Sequence, residues 1–130
     1  MKIETADKHF SIYIRLRDSD ENGYAKCCSC GKVSHWKDSD AGHFVNRAHK
    51  SLRFSEVNVN TQCRHCNRFR EGNVTGYAMF MIDKYGRDIL EKLEITKNKT
   101  HKMGKFELKA IADFYKSRNK ELIKLKNFSV

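Results

Sequence analysis

Four cysteines in the first half of the sequence form two pairs of the type Cys-x-x-Cys. The first pair is Cys27 and Cys30, and 32 residues separate it from the second, Cys63 and Cys66. Two intervening residues let both sulfurs of one turn point at one ion, and four thiolates at about 2.3 Å form the closed tetrahedral shell of zinc. The pattern predicts a structural Zn²⁺ site that ties two distant stretches of chain together.

The fifth cysteine, Cys28, is separated from Cys30 by one residue, which would give a strained chelate, so we expect it to be a spare, packed side chain. The odd number of cysteines and the absence of a visible secretory signal argue against a disulfide framework. Redox thiols and chance spacing are the alternatives to a metal site. His35 and His65 could also bind zinc, but four cysteines already complete the shell.

A second group of polar residues lies between and just after the cysteine pairs. Asp40 and His43 fall on a predicted strand, and Asn67 directly follows Cys66, so that zinc would fix its position. Carboxylate and amide oxygens are hard ligands that suit Mg²⁺ or Mn²⁺. A neutral imidazole beside such an ion can take a proton from water, while the ion stabilises the leaving oxygen of a phosphodiester. These residues predict a one-metal nuclease site.

Further motifs accompany these residues between about positions 7 and 95. They are Ser11-x-Tyr13-Ile14-Arg15-x-Arg17-Asp18, Cys30-Gly31-Lys32, Gly42-His43-Phe44, Arg53-Phe54, Gln62-Cys63, Cys66-Asn67, Gly72-Asn73 and Lys84-Tyr85-Gly86. With them the chain resembles the HNH, or ββα-metal, nucleases that carry an added four-cysteine zinc. More closely, it is similar to the NinG (Rap) recombination nucleases of lambdoid phages. The zinc spacing is also similar to that of phage Holliday-junction resolvases of the endonuclease VII type.

The resemblance implies a metal-dependent endonuclease for branched recombination intermediates, of the Holliday-junction or D-loop type. It places His43 at the general base and Asn58 at the central asparagine that orients this base through the hairpin loop. Asn67 stands where the family binds the catalytic metal. In many of these nucleases an acid directly precedes the base, and here Gly42 holds that place. Asp40, two residues earlier on the same strand face, is the expected second ligand.

The residues leave some alternatives open. Asp38 is a second candidate for the metal ligand, and His49 is a second candidate for the base. Asn60 could replace Asn58, although its spacing fits less well. Trp36 could stack on an unpaired base near a junction, but packing is the commoner role of a lone tryptophan.

Lysine and arginine number 26 against 16 acidic residues, which gives a net charge of +10. Residues 27–78 carry a net +4 and residues 97–130 a net +7. Two separated basic regions predict a polyanion partner, and we expect DNA. The planar guanidinium of arginine can donate two hydrogen bonds to one phosphate, and we expect at least two basic residues near the site to contact phosphates. The candidates are Arg47, Lys50, Arg53, Arg64, Arg68 and Arg70.

Composition excludes several classes of protein. Hydrophobic residues make up 39% of the chain and charged residues 32%, and there is no proline. No apolar run approaches the roughly 18 residues of a membrane span, so we expect no membrane partner. The N-terminal sequence has no apolar core of a secretory signal. We therefore expect a cytoplasmic protein, in the host cytoplasm if a phage encodes it.

The elements that must position the site follow from periodicity and turn signals. Residues 4–17 predict a helix with Thr5 as a possible N-cap, although their β-branched content also allows a strand. Two short strands around a knuckle are expected over 24–36. The remaining expectations are a strand over 40–47, a polar loop over 48–56, a helix starting near Val57 or Asn60, helices over 74–85 and 87–94, a basic linker over 96–105 and a last helix over 105–126.

The predicted fold is α+β, a zinc-stapled ββα-metal (HNH-type) core with flanking helices. It divides into an N-terminal helical segment (1–23), the nuclease core (24–78) and a basic helical region (79–130), within one compact domain. The apolar stripe of the last helix could pack on the core or on a second copy. Because a junction needs two symmetric cuts, a homodimer formed through the C-terminal helices is a hypothesis for the functional assembly. Phage or host recombination proteins are further possible partners.

Two other functions compete with this interpretation. The first is a non-catalytic zinc-ribbon module that binds DNA as a recombination accessory protein, which needs the cysteines and basic residues but not Asp40, His43 or Asn67. The second is an HNH nuclease without selectivity for DNA structure. Turnover separates the first from a nuclease, and a comparison of branched with linear DNA separates the second.

Overall fold

The computed structural model describes residues 2–128, so that residues 1, 129 and 130 of the predicted end segments lie outside it. Its architecture is α+β, which confirms the α+β part of the predicted fold. The strands are β1 (Tyr24–Lys26), β2 (Val33–His35), β3 (Ser39–His43) and β4 (Val59–Cys63). The helices are α1 (Ile3–Arg17), α2 (Lys50–Arg53), α3 (Val74–Tyr85), α4 (Ile89–Lys97) and α5 (Lys105–Leu125). Two shorter elements are a 3-10 turn (Trp36–Asp38) and a π-helical turn (His65–Phe69), called the π-turn below.

The strands form two antiparallel hairpins, β1–β2 and β3–β4. In the second hairpin, Ser39 lies opposite Cys63 and His43 opposite Val59. Helix α1 packs on the hairpin face that carries Val59, whereas Tyr77 of α3 contacts the face that carries Asn60. The β3–β4 hairpin therefore lies between two helical layers and is covered on both faces.

An apolar cluster joins α1, α5 and the central hairpin. Phe10 and Ile14 of α1 are buried with Tyr115 and Leu122 of α5, and the Phe10 and Tyr115 rings meet edge to face at 5.0 Å. Edge-to-face contact is a favoured arrangement of aromatic rings. Most of the predicted stripe of the last helix is thus buried within the chain, although Leu125 at its end is exposed.

A second apolar cluster covers the opposite side of the hairpin. It is formed by Leu52 of α2, Tyr77 and Met81 of α3, and Ile89 and Leu93 of α4. Gly86 separates α3 from α4 with a positive φ of 94°, which suits glycine. The predicted break between these two helices at Gly86 is confirmed.

The predicted helix from Val57 or Asn60 is wrong, because residues 59–63 form β4. All five side chains of this strand are buried, with Asn60 and Gln62 on one face and Val59, Thr61 and Cys63 on the other. A strand covered on both faces shows no alternation of apolar and polar residues. Polar residues in both layers hid this strand from sequence analysis.

Three smaller expectations also need correction. The predicted strand over 40–47 ends at His43, and the expected polar loop over 48–56 contains the short helix α2. Thr5 does not cap α1, because the helix begins at Ile3 and its N-cap is Lys2, which makes no side-chain cap hydrogen bond. In residues 2–128 none of the helices combines the length and apolar character needed to cross a membrane.

Candidate metal centre and adjoining cleft

The four predicted cysteines come together at one point. The sulfurs of Cys27, Cys30, Cys63 and Cys66 all lie within 4.8 Å of one another, and those of Cys30 and Cys63 are 3.7 Å apart. Thiolates at about 2.3 Å from a tetrahedral ion lie about 3.8 Å from each other. The cluster is therefore positioned to hold one metal ion, and its four-sulfur donor set fits structural zinc.

Two elements bring these sulfurs together. The turn between β1 and β2 carries Cys27 and Cys30, and the backbone N–H of Gly31 donates to the Cys27 carbonyl at 2.9 Å. The end of β4 and the π-turn carry the second pair. Helix α3 approaches the first turn at Gly76, where a Cβ atom would overlap the Ser29 carbonyl oxygen. Glycine at position 76 thus permits this contact.

The surroundings of the four sulfurs differ: burial raises the pKa of the Cys63 and Cys66 thiols, whereas the pKa of Cys27 is lowered. Burial alone would raise the pKa of the Cys27 thiol, but backbone hydrogen bonds at Cys63 and Cys30 outweigh it and lower the pKa to about 7. Asn73 Nδ2 donates to Cys66 Sγ at 3.4 Å. In contrast, burial raises the pKa of Cys28 to about 12, and this residue lies outside the cluster. Cys28 is thus a neutral, packed side chain.

A cleft of about 450 Å³ opens beside this cluster, between α1 and the face of β3 that carries Ala41 and His43. Asn67 of the π-turn also reaches this cleft, so two of the residues singled out in the sequence meet there. The remaining residues along its walls come from α1 and from the loop after β3. They are Asp7, Lys8, Phe10, Ser11, Asn46 and Arg47.

His43 is held in one orientation. Its Nε2 atom lies 2.9 Å from the backbone carbonyl oxygen of Arg53. Because a carbonyl oxygen only accepts, Nε2 must carry the proton, and Nδ1 of the neutral ring then has a free lone pair. Burial lowers the pKa of His43, which keeps the ring neutral near pH 7. The arrangement suits a group that accepts a proton at Nδ1.

Asn58 organises the loop that supplies the Arg53 carbonyl. It is fully buried; its Oδ1 accepts from the Val45 N–H at 2.8 Å, and its Nδ2 donates to the carbonyls of Val45 and Leu52. These bonds hold both ends of the loop between β3 and β4. Asn60, the alternative, faces the other layer and donates to Tyr77 Oη instead. Among the described residues, His49 is not part of the cleft wall.

Asp40 and Asn67 are also neighbours. Asn67 Nδ2 donates to Asp40 Oδ2 at 3.0 Å, and Arg68 donates to both carboxylate oxygens at 2.9 Å. Burial would raise the pKa of Asp40, but the hydrogen bonds from Arg68 and Asn67 lower it overall. Carboxylate and amide oxygens fit a hard cation, although one bound to Asp40 would have to displace Arg68. Asp38, the fallback ligand, is largely exposed.

Asp40 and His43 lie on opposite faces of β3, because they are three residues apart. Asp40 is therefore brought to Asn67 but not to the cleft wall that carries His43. A Cβ atom on the intervening Gly42 would overlap the buried Gln62 side chain, so a larger residue at this position would require Gln62 to move.

Sequence analysis missed Asp7, which α1 brings to the cleft. Its carboxylate pairs with Arg53, with Asp7 Oδ1 accepting from Nε at 2.9 Å and Oδ2 from Nη2 at 2.5 Å. The Arg53 guanidinium, a predicted DNA contact, is thereby engaged inside the protein. The sequence carried a signal, because Asp7 lies three and seven residues before Phe10 and Ile14, on the buried face of α1.

The other predicted DNA contacts remain at the surface. Arg47, Lys50, Arg68 and Arg70 are exposed, and Arg47 borders the cleft. Arg64 is half-exposed and lies 4.0 Å from Asp38 and Asp40.

Comparison with known proteins gives the family of this chain. The family model described as "Bacteriophage Lambda NinG protein" matches residues 2–126. Protein ninG of Escherichia phage lambda is 33% identical over 92% of this chain and 56% of its own length. Protein ninG of Salmonella phage P22 is 33% identical over 92% and 57%, and that of Escherichia phage 933W is 32% identical over the same shares.

The chain thus spans a little over half the length of these curated relatives. No solved structure gave a significant match. Because the match of the family model extends over nearly the whole sequence, the chain belongs to the NinG family.

Proposed function

We propose that this protein is a metal-dependent DNA endonuclease of the HNH, or ββα-metal, type that cuts branched recombination intermediates. The observation that carries the proposal is the fixed His43 ring. Its Nε2–H donates to the Arg53 carbonyl at 2.9 Å, so its basic nitrogen is available in a cleft that also contains Asn67. A neutral imidazole held in this way is suited to deprotonating water.

In the proposed reaction, His43 accepts a proton at Nδ1 from the water that attacks the phosphodiester. Lys8 and Arg47 on the cleft walls would bind the phosphate. Because Asn67 contacts Asp40 and also reaches the cleft, these two residues would hold Mg²⁺ or Mn²⁺ at the Asn67 end of the cleft, with Arg68 turning from the carboxylate to the DNA backbone. Such an ion supplies stabilisation of the charge that develops on the leaving oxygen. By the family resemblance, the products carry a 5′-phosphate and a 3′-hydroxyl.

The metal of the cysteine cluster is, in this proposal, structural zinc. A closed shell of four sulfurs leaves no position for water or substrate, which is typical of structural zinc sites. Zinc would fix the π-turn and hence Asn67, one residue after Cys66. The cluster would thereby support the cleft without taking part in the reaction.

The preference for branched DNA is supported by the distribution of charge. The site region carries a net +4 and the C-terminal region a net +7, which allows contacts with more than one DNA arm. A homodimer would supply two sites related by symmetry for two symmetric cuts. Phage or host recombination proteins would be the partners that create or consume such intermediates.

The test compares cleavage of a synthetic four-way junction with cleavage of a linear duplex of the same sequence. With Mg²⁺, the wild type should cut near the branch, and His43→Ala should be slower by about 10²–10⁴-fold, the usual share of general-base catalysis. Equal cleavage of both substrates would indicate an HNH nuclease without structural selectivity. Full activity of His43→Ala would remove His43 from its role.

A second function is favoured by one observation. Arg68 occupies both oxygens of Asp40, as in an ion pair whose role is structural. A non-catalytic zinc-ribbon protein that binds DNA would need no free carboxylate. Tight binding of the junction, with one zinc per chain and no cleavage in Mg²⁺ or Mn²⁺, would favour this accessory role over the nuclease.

A further inference from the structure

The π-turn that carries Cys66 and Asn67 ends in an aromatic side chain that faces solvent. Phe69 is 77% exposed, and its ring lies beside the imidazole of His65, with centroids 6.3 Å apart and planes inclined by 30°. Exposure of a large aromatic ring carries a cost in water, because its apolar area stays hydrated. A single exposed side chain needs no explanation by itself, but the surroundings of this one are unusual.

Basic residues flank Phe69 in sequence. Arg68 and Arg70 are its exposed neighbours, and the half-exposed Arg64 directly precedes the π-turn, although Arg64 and Arg68 also approach Asp40. Among residues 2–128, Arg70 forms no ion pair. A polyphosphate backbone bound by these arginines would bring its bases next to Phe69. Charge complementarity therefore indicates a nucleic acid strand as the occupant of this surface.

The position of Phe69 in the fold favours a ring that is fixed before a base stacks on it over one that rearranges on binding. It follows Cys66 by three residues, so a metal ion in the cysteine cluster would hold the turn that presents it. A ring fixed before binding loses little conformational entropy when a base stacks on it. By contrast, Trp36, the stacking candidate from the sequence, is only 8% exposed, and its ring lies beneath the Arg15 guanidinium.

We propose that Phe69, backed by His65, is a stacking platform for an unpaired nucleobase of bound DNA. Asn67, two residues earlier, reaches the cleft, so the turn that presents Phe69 also borders the candidate site. The platform would let the protein recognise the unpaired bases of a branch. This inference rests on the proposed function only in taking DNA as the ligand.

The test measures binding of zinc-loaded full-length protein to two DNA duplexes without added Mg²⁺. One duplex has a central unpaired bubble containing 2-aminopurine, and the other is fully paired with the same sequence. The wild type should bind the bubble more tightly and quench the 2-aminopurine by stacking. Phe69→Ala should abolish the quench and weaken bubble binding by about tenfold, since stacking on one aromatic ring gives roughly 5- to 150-fold. Binding of the paired duplex should change little.

Matched variants make the result specific to an aromatic ring at this position. Phe69→Trp should retain the preference, whereas Phe69→Leu, apolar but not aromatic, should lose it. Phe106→Ala removes an exposed phenylalanine of α5, 92% exposed, and should have no effect. Zinc content and thermal unfolding show that each variant is folded.

Unchanged bubble binding by Phe69→Ala, or an equal loss on both duplexes, would overturn the platform. This binding test is independent of the cleavage test described above. If the protein cuts no DNA but still binds the bubble in a Phe69-dependent way, the nuclease proposal is wrong and the stacking proposal still holds. Failure of the wild type to bind either DNA would overturn the platform together with DNA as the partner.

Discussion

The cysteine cluster and the cleft lie beside the same hairpin, yet they are built in different ways. In the cluster, four side chains of one type converge within 4.8 Å, two from the β1–β2 turn and two from the end of β4 and the π-turn. In the cleft, His43 depends on the backbone carbonyl of Arg53, on a loop held by Asn58 and on the ion pair of Arg53 with Asp7 of α1. The cluster is specified by one residue type at two equal spacings, whereas the cleft combines backbone and side-chain groups of several types.

The two regions also differ in how complete they are. The cluster presents all its ligands to one point, while the cleft has an oriented base but a candidate metal ligand that is held by Arg68. The difference indicates that binding of metal at the cluster stabilises the fold, and that binding at the cleft would require exchange of an ion pair. Four predictions test this contrast, in order of decreasing effect.

Removal of the cluster metal should have the largest effect. Structural zinc contributes about 10–16 kcal/mol in zinc-finger peptides, so a chelator, or Cys63→Ser, should abolish cooperative unfolding of this region. Hydrogen exchange should show loss of protection in β1, β2 and the π-turn, while α1 and α5 retain theirs through apolar packing. Cys28→Ser is the matched control and should keep the metal. An unchanged melting temperature after chelation would show that the cluster does not depend on metal.

Sequence analysis reached these two regions to different extents. Cysteine spacing alone located the cluster, because the ligands of one ion recur at a fixed interval along the chain. His43 and Asn67 were found by residue type, but the Arg53 carbonyl was not, since any residue has one. β4 was mistaken for a helix because its buried Asn60 and Gln62 find partners in the opposite layer. Asp7 could be placed only once α1 was packed on the hairpin.

Asp7→Asn should disturb the position of His43 in the cleft without affecting metal binding by the cysteine cluster. The side chains of Asp7 and Arg53 are 18% and 13% exposed, so loss of the charge should lower stability by about 1.5–3 kcal/mol, as for charged hydrogen bonds. A small shift of the Arg53 carbonyl should lower kcat on the order of tenfold, less than a 1 Å misplacement of a reacting group can cost. KM should not rise, because the variant removes a negative charge from the cleft wall and releases the Arg53 guanidinium, both of which favour DNA binding.

The control for this variant is Asp113→Asn, which removes an exposed ion pair with Lys109 on α5. It should leave both rate and stability near those of the wild type. A parallel rise in KM, or equal effects of the two variants, would show that Asp7 does not act through His43.

Arg68→Ala should release Asp40 from its ion pair, so that this candidate ligand becomes free to bind metal, as the cysteines of the cluster are. If Asp40 binds the catalytic ion, the Mg²⁺ concentration for half-maximal cleavage should fall by about two- to fivefold, the range of an exposed ion pair. Arg70→Ala, an exposed neighbour, should leave this concentration unchanged, although both variants remove one positive charge near the DNA. An unchanged or higher Mg²⁺ requirement in Arg68→Ala would remove Asp40 from the metal site.

The smallest expected effect concerns pH. Burial lowers the pKa of His43 below its ordinary 6.5, and a base acts only in its neutral form. An imidazole with the ordinary pKa would be half protonated at pH 6.5, so the cleavage rate there should fall by less than twofold from its plateau. Below the lowered pKa, kcat should decrease about tenfold per pH unit. A midpoint at or above pH 6.5 would contradict a neutral, buried base.

The pH profile also needs the cluster to be followed in the same samples. Acid protonates thiolates as well as the imidazole. If it released zinc, the cluster would lose its metal in the same pH range in which the cleft loses its neutral base. The bound cation holds the thiolates deprotonated, so that zinc release can be measured separately from the titration of His43. Loss of activity with full zinc content would therefore assign the titration to His43, and loss accompanied by zinc release would assign it to the cluster.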